Sequence, residues 1–125
     1  MASLLRGAHI LVVEDEPFIA FDLKMAIEDA GARAIGPAAT IAEARELIAA
    51  EFPDGALLDV NLPDGTIGAV LDALSGRASI AVHTGVGLPP EIRARHPDVR
   101  VFTKPTDPTI LIGHVASSLP ARGAE

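Results

Sequence analysis

At 125 residues, with 49% hydrophobic side chains and a net charge of −7, the chain is sized for one domain with a single core, and its acidity disfavours nucleic-acid or anionic-membrane partners. The lack of cysteine excludes disulfides and thiolate metal sites, and aromatics at 3%, all Phe, leave no base-stacking platform. Arg6 and His9 interrupt the N-terminal stretch before a signal-peptide core could form and no segment reaches membrane-spanning length, so a cytoplasmic protein without membrane association is expected.

Ala8-His9-Ile10-Leu11-Val12-Val13 is a β-branched apolar run that ends in the acids Glu14, Asp15 and Glu16. Pro17 then opens a helical periodicity that lasts to Ala30 and Gly31; proline suits a first turn, where its missing N–H has no partner, and glycine suits a helix end. Ile19, Leu23, Ala26, Ile27 and Ala30 form the expected core stripe. Phe18, Phe21 and Met25 share a second face, where a solvated helix carries polar groups, so neighbouring loops cover it or a partner docks on it. Glu16 complements the helix dipole.

Arg33-Ala34-Ile35-Gly36-Pro37 reads as a short second strand, and Thr40-Ile41-Ala42-Glu43 is a capping box opening a helix to about Glu51. The next strand, Gly55-Ala56-Leu57-Leu58, runs into Asp59 and breaks at Pro63 and the turn pair Asp64-Gly65. A strand that stays apolar and then presents an acid fits a doubly covered parallel strand whose carboxyl end holds a site; the alternative is an Asp that starts a turn. A modest helix follows from about Ile67 to Leu74. Ser79 to Thr84 is the fourth strand, ending in Gly85-Val86-Gly87, and Leu88 to His96 makes a short or frayed helix, expected to be mobile. Val99 to Thr103 is the fifth strand, ending at Lys104-Pro105, and Asp107-Pro108 caps a last helix to about Leu119. Residues 8–119 thus form the domain, with flexible tails at 1–7 and 120–125 and no output domain.

Five strands alternating with five helices imply an α/β, doubly wound five-stranded parallel sheet with helices on both faces. All strand carboxyl ends then share one edge, which gathers Glu14, Asp15, Asp59, Thr84 and Lys104. Three carboxylates there repel one another unless a cation neutralises them, and oxygen ligands favour Mg²⁺ over zinc. A carboxylate beside Mg²⁺, with an ammonium and a hydroxyl to hold equatorial oxygens, is equipped for in-line phosphoryl transfer onto Asp59.

The segments Val13-Glu14-Asp15-Glu16-Pro17, Leu58-Asp59-Val60-Asn61-Leu62-Pro63, His83-Thr84-Gly85 and Phe102-Thr103-Lys104-Pro105 resemble the four signatures of response-regulator receiver (CheY-like) domains. The resemblance covers about Ile10 to Leu119 and implies the flavodoxin-like strand order 2-1-3-4-5. It implies that Asp59 takes a phosphoryl group from a histidine kinase or a histidine phosphotransfer protein. Asp15 would bind Mg²⁺ directly, Glu14 through water, and Asn61 through its backbone carbonyl, with Asp59 completing the set. Thr84 would bond a phosphoryl oxygen, Lys104 would pair with the aspartyl phosphate, and the Lys104–Pro105 bond is often cis in the family. The turn after Thr84, the run Gly36-Pro37-Ala38-Ala39-Thr40 and the last strand look like stand-alone receivers of alphaproteobacterial type, similar to partners of stress-response and light-responsive kinases. Such a protein acts as a phosphate sink, a shuttle or a regulator by direct binding, as a monomer or weak dimer. Phe18, Phe21 and Met25 lie where receivers generally meet the kinase.

Val101 stands at the usual aromatic switch position, so the Thr/Tyr rotamer coupling of many receivers cannot operate, and Phe102 faces the other way by strand alternation. The loop from Gly85 to Pro90 is the candidate readout in its place. His83 points opposite to Thr84 and reads as a packed, hydrogen-bonded histidine; His9, His96 and His114 lack partner spacing. Two other readings stand beside the receiver. One is a constitutive adaptor that never turns over phosphate. The other is an aspartate-nucleophile phosphatase of the haloacid-dehalogenase type, which fits poorly because Asn61 occupies the second acidic position of that motif.

Overall fold

The computed structural model describes residues 4–120. Strand β1 (His9–Val13) pairs in parallel with β2 (Arg33–Ala38) on one side and β3 (Gly55–Leu58) on the other; β4 (Ser79–Thr84) and β5 (Arg100–Thr103) continue beyond β3. The order is β2-β1-β3-β4-β5, all parallel, as the motifs implied. Helices α1 (Pro17–Asp29), α2 (Ile41–Ala50), α3 (Gly68–Leu74), α4 (Pro90–Arg95) and α5 (Pro108–Ser117) alternate with the strands.

Strand alternation divides the core into two. Leu11, Val13 and Leu58 pack with Ile67, Leu71 and Ile92 on the side of α2, α3 and α4. Ile10, Val12 and Leu57 pack with Leu23, Ile27 and Leu111 on the side of α1 and α5. Strands covered on both faces have no solvated side, which is why β1, β3 and β4 read as continuous apolar runs. Gly55 is needed where α5 lies close on the sheet: a Cβ there would stand 2.7 Å from Val115 Cγ1 and 3.1 Å from the Ser79 carbonyl oxygen.

The caps follow the local chemistry. Glu16 is the N-cap of α1, its carboxylate accepting from the Phe18 and Ile19 amides at 3.1 Å. Thr40 Oγ1 accepts from the Glu43 amide at 3.0 Å, and the Glu43 carboxylate reaches back to the Ala39 amide. Asp64, expected only as a turn residue, also caps α2, accepting from the Ile41 and Ala42 amides at 2.8 and 3.0 Å. It sits in a small antiparallel ribbon, Asn61–Leu62 against Gly65–Thr66, that periodicity cannot reveal because each strand has two residues.

Three expectations are corrected. Residues 4–7 are not a loose tail: Leu5 is fully buried in the α1/α5 core, its amide donating to the Ala30 carbonyl at 2.9 Å, and the Gly7 amide donates to Gly31. The orphan carbonyls beyond α1 attract these donors, and an apolar side chain gains by following them inward. The remaining tail residues 1–3 and 121–125 lie outside the described residues. The helix α4 has no side-chain N-cap, as a weak helix should, yet its far end is fastened, because Arg93 donates to the carbonyls of His96, Pro97 and Val99. His96 and Arg95 also bond Asp72 of α3, at 2.7 and 3.1 Å, so His96 does have a partner. His9 likewise pairs with Glu51, and the His114 ring lies 5.6 Å from that of Phe102.

Leu5 provides a direct check on the N-terminal correction. Leu5→Ala is expected to lower unfolding stability by about 2–4 kcal/mol, the cost of a buried leucine cavity, in urea titrations followed by circular dichroism. A loose tail predicts no change.

Candidate functional site

The carboxyl ends of β1, β3, β4 and β5 meet at one edge, and the side chains that leave them converge. Glu14 and Asp15 follow β1, Asp59 follows β3, Thr84 ends β4 and Lys104 follows β5. Ligand oxygens of Glu14, Asp15 and Asp59 lie within 4.8 Å of one another, with Glu14 and Asp59 buried and Asp15 exposed. Lys104 Nζ stands 3.0 Å from Glu14 Oε1 and 3.2 Å from Asp59 Oδ2. Asp59 Oδ1 accepts from the Val60 amide at 2.7 Å, so each oxygen of this carboxylate has its own partner.

Burial pushes the Glu14 carboxyl above its ordinary range, the Asp59 charge adds to this, and Lys104 with the Glu16 amide opposes it. The Glu16 amide donates to Glu14 Oε2 at 3.1 Å. For Lys104 burial alone would lower the ammonium, but the Glu14 carboxylate close beside it and the charge of Asp59 outweigh it and hold it above its ordinary value.

The residues present fit a divalent cation on two counts. One ammonium faces three carboxylates, leaving negative charge uncompensated. Glu14 Oε1 is buried without a hydrogen-bond partner, since Lys104 stands near it but out of alignment for a hydrogen bond. Oxygen donors alone suit a hard cation.

Thr84 is buried, and its Oγ1 accepts from the Val86 amide at 3.1 Å, which shapes the turn leaving β4. Asn61, two residues past Asp59, opens the small ribbon. The Lys104–Pro105 peptide is cis, as is Gly36–Pro37. Phe18, Phe21 and Met25 are 81%, 59% and 40% exposed, so loops do not cover the second stripe of α1. Val101 packs into the α2/α3/α4 core and Phe102 into the other, as alternation required. His83 is buried, and its Nε2 accepts from the Thr106 amide at 3.2 Å, a bond that sequence spacing gives no means of finding.

A doubly wound sheet with three acids, a lysine and a hydroxyl along its carboxyl edge is suited to phosphoryl transfer onto a carboxylate. Residues 10–112 match the family described as response regulator receiver domain, and the chain belongs to that family. It is therefore a receiver of two-component signalling, a class of signalling domain phosphorylated on aspartate. Over 70 residues it is 42% identical to the phyllosphere-induced regulator PhyR of Methylorubrum extorquens, a match covering 55% of this chain and 26% of that protein. Its fold is similar to a CheY-like receiver domain protein from Methanospirillum hungatei, with a TM-score of 0.78 and 26% identity over 89% of this chain and 92% of the other. It is also similar to the response regulator PhyR from Brucella abortus, with a TM-score of 0.73 and 27% identity over 93% of this chain and 50% of the other. The chain thus spans half or less of the PhyR proteins it matches. No helix among the described residues is long and apolar enough to cross a membrane.

The raised Glu14 carboxyl has a consequence for metal-free protein. The folded state holds the Glu14 proton more tightly than the unfolded state, so its contribution to stability is full in acid and is lost as pH rises through the folded value. Glu14→Gln, which mimics the protonated form, is expected to melt above wild type in EDTA at pH 7, and this gain is expected to shrink on acidification below the ordinary glutamate range. Calorimetry from pH 4 to 8 checks it; a gain that grows toward acid is the contrary result.

Proposed function

We propose that Asp59 is the phosphoacceptor of a Mg²⁺-dependent phosphorelay step whose donor is a histidine kinase or a histidine phosphotransfer protein. The observation that carries this reading is the Asp59 carboxylate, buried at the sheet edge with Lys104 on one oxygen and two further acids beside it. An Asp59 oxygen attacks the phosphorus of the donor phosphohistidine, the P–N bond breaks, and its electron pair returns to the imidazole. The Lys104 ammonium, 3.2 Å from Asp59 Oδ2, supports a role in which it meets the charge of the phosphoryl oxygens. Thr84, whose oxygen accepts from Val86, retains its own O–H to donate to a phosphoryl oxygen. Glu14, Asp15, Asp59 and the Asn61 carbonyl are the residues that would hold Mg²⁺, which supplies charge neutralisation for the transferring group.

The exposed stripe Phe18, Phe21 and Met25 supports a docking role toward the kinase, because it lies on the helix that begins at the acidic edge. The protein is read as cytoplasmic and as a monomer or weak dimer. A second reading, a receiver that works as an adaptor by direct binding, draws support from the PhyR likeness. A PhyR from Bartonella quintana, 26% identical over 88% of this chain and 47% of its own, is described as an anti-anti-sigma factor.

Intact-mass spectrometry after incubation with acetyl phosphate tests the chemistry. Wild type is expected to gain one phosphoryl group only with Mg²⁺, and Asp59→Asn none; a wild type that gains nothing favours the adaptor. Phe21→Asp is expected to slow transfer from the cognate kinase by about tenfold or more, the scale of losing one interface anchor, while acetyl phosphate labelling stays unchanged. Equal kinase transfer rates would remove the docking role.

A further inference from the structure

The registers pair His83 with Phe102 and Thr84 with Thr103, and alternation sends the two β4 side chains to opposite faces. The His83 imidazole is buried beside a groove between α1 and the turn after β5, lined among others by Ile19, Leu23, Lys104, Pro105 and Thr106. An Nε2 that accepts the Thr106 N–H requires a neutral imidazole with its proton on Nδ1. That Nδ1 is buried and has no hydrogen-bond partner. A donor left unsatisfied inside a protein costs stability, and an apolar side chain would fill the same interior without the cost. What the imidazole adds at this position is therefore the acceptor.

Thr106 lies two residues past Lys104, in a turn whose bonds are few. The Lys104 amide donates to the Thr84 carbonyl at 2.8 Å, Thr106 Oγ1 donates to the Thr103 carbonyl at 2.5 Å, and Asp107 caps α5 through the Thr109 amide. The first two tie the turn to backbone carbonyls at the end of β4 and within β5. Among the described residues, the His83 bond is the one that holds the turn from a side chain in the interior, on the far side of Lys104 from its strand.

We propose that His83 is a positioning residue for Lys104: by holding the Thr106 amide, it fixes the turn that carries Lys104 and keeps the ammonium seated between Glu14 and Asp59. Burial, reinforced by the Lys104 cation and opposed by Asp59, lowers the imidazole below its ordinary range and so maintains the neutral form that can accept. The catalytic consequence rests on Asp59 being the phosphoacceptor; the seating of Lys104 does not.

Lys24 and Lys104 are the lysines of the chain, and Lys24 lies on the surface of α1, paired with Glu28 at 3.3 Å, so it serves as an internal reference. Competitive acetylation in EDTA, read by peptide mass spectrometry, reports how far Lys104 is withdrawn between its carboxylates. His83→Val is expected to raise the Lys104-to-Lys24 labelling ratio and to slow Mg²⁺-dependent phosphorylation by acetyl phosphate, each by about tenfold, the scale of a misplaced catalytic group, while the melting temperature holds or rises. His83→Gln, whose side-chain oxygen can accept from Thr106, is expected to return both toward wild type. An unchanged labelling ratio in His83→Val overturns the proposal. Nitrogen-15 shifts of the wild-type imidazole decide it without any variant: the Nδ1–H tautomer with a bare Nε2 is expected, and an Nε2–H tautomer overturns it. Should wild type accept no phosphoryl group, the receiver chemistry fails while the labelling ratio and the tautomer still judge His83.

Discussion

Lys104 reaches its two carboxylates from beyond an intervening strand. Asp59 follows β3 and Glu14 follows β1, while Lys104 follows β5, with β4 between. Strands stand about 4.8 Å apart, so the reach from β5 to Asp59 is roughly 10 Å, which only a long side chain can span. The acids depend on that reach. With ligand oxygens within 4.8 Å of each other, each pair of ionised carboxylates repels by roughly 3–4 kcal/mol at an effective dielectric near 20. One ammonium against Glu14 and Asp59 offsets part of this and leaves the remainder for a cation. The parallel sheet, the strand order and the turn after β5 are thus all conditions on one nitrogen atom.

Much of this was legible in the chain because the informative signals are local. A strand apolar to its end and then acidic, as at Val13-Glu14 and Leu58-Asp59, declares both its burial and the edge at which it stops. The caps at Glu16 and Thr40 could be read within four residues. What escaped was non-local. Asp64 reaches the α2 amides across 22 and 23 residues, His83 meets Thr106 across 23, and Asp72 meets His96 across 24. Leu5 escaped for a related reason: the pair Leu4-Leu5 beside Arg6 is too short to show a period, and only the α1 terminus it folds onto explains the burial of Leu5.

The exposed Phe18, Phe21 and Met25 show the limit of periodicity from the other side. Two apolar stripes on α1 are equally regular, and regularity alone does not say which is core. Leu23 and Ile27 meet the sheet, so the second stripe is left to solvent. The sheet decided the question, since a single helix can lay only one face on it.

The same division of faces sorts the bonds made around the site edge. On the α1/α5 side, Lys104 is joined through Thr106 to His83, inside the core that carries Phe102. On the other side, Thr84 is joined through its oxygen to the Val86 amide, at the start of the loop that leads to α4. A hydroxyl can accept one bond and donate another, so the Thr84 oxygen that holds the Val86 amide keeps a proton for a second partner. The helix beyond has no side-chain cap at that end and is bonded to α3 and to its own following turn at the other, so its side-chain attachments lie at its C-terminal end. Val101 packs into one core without a ring, and two backbone amides, those of Val86 and Thr106, are bonded by side chains at the site edge, one toward each face of the sheet.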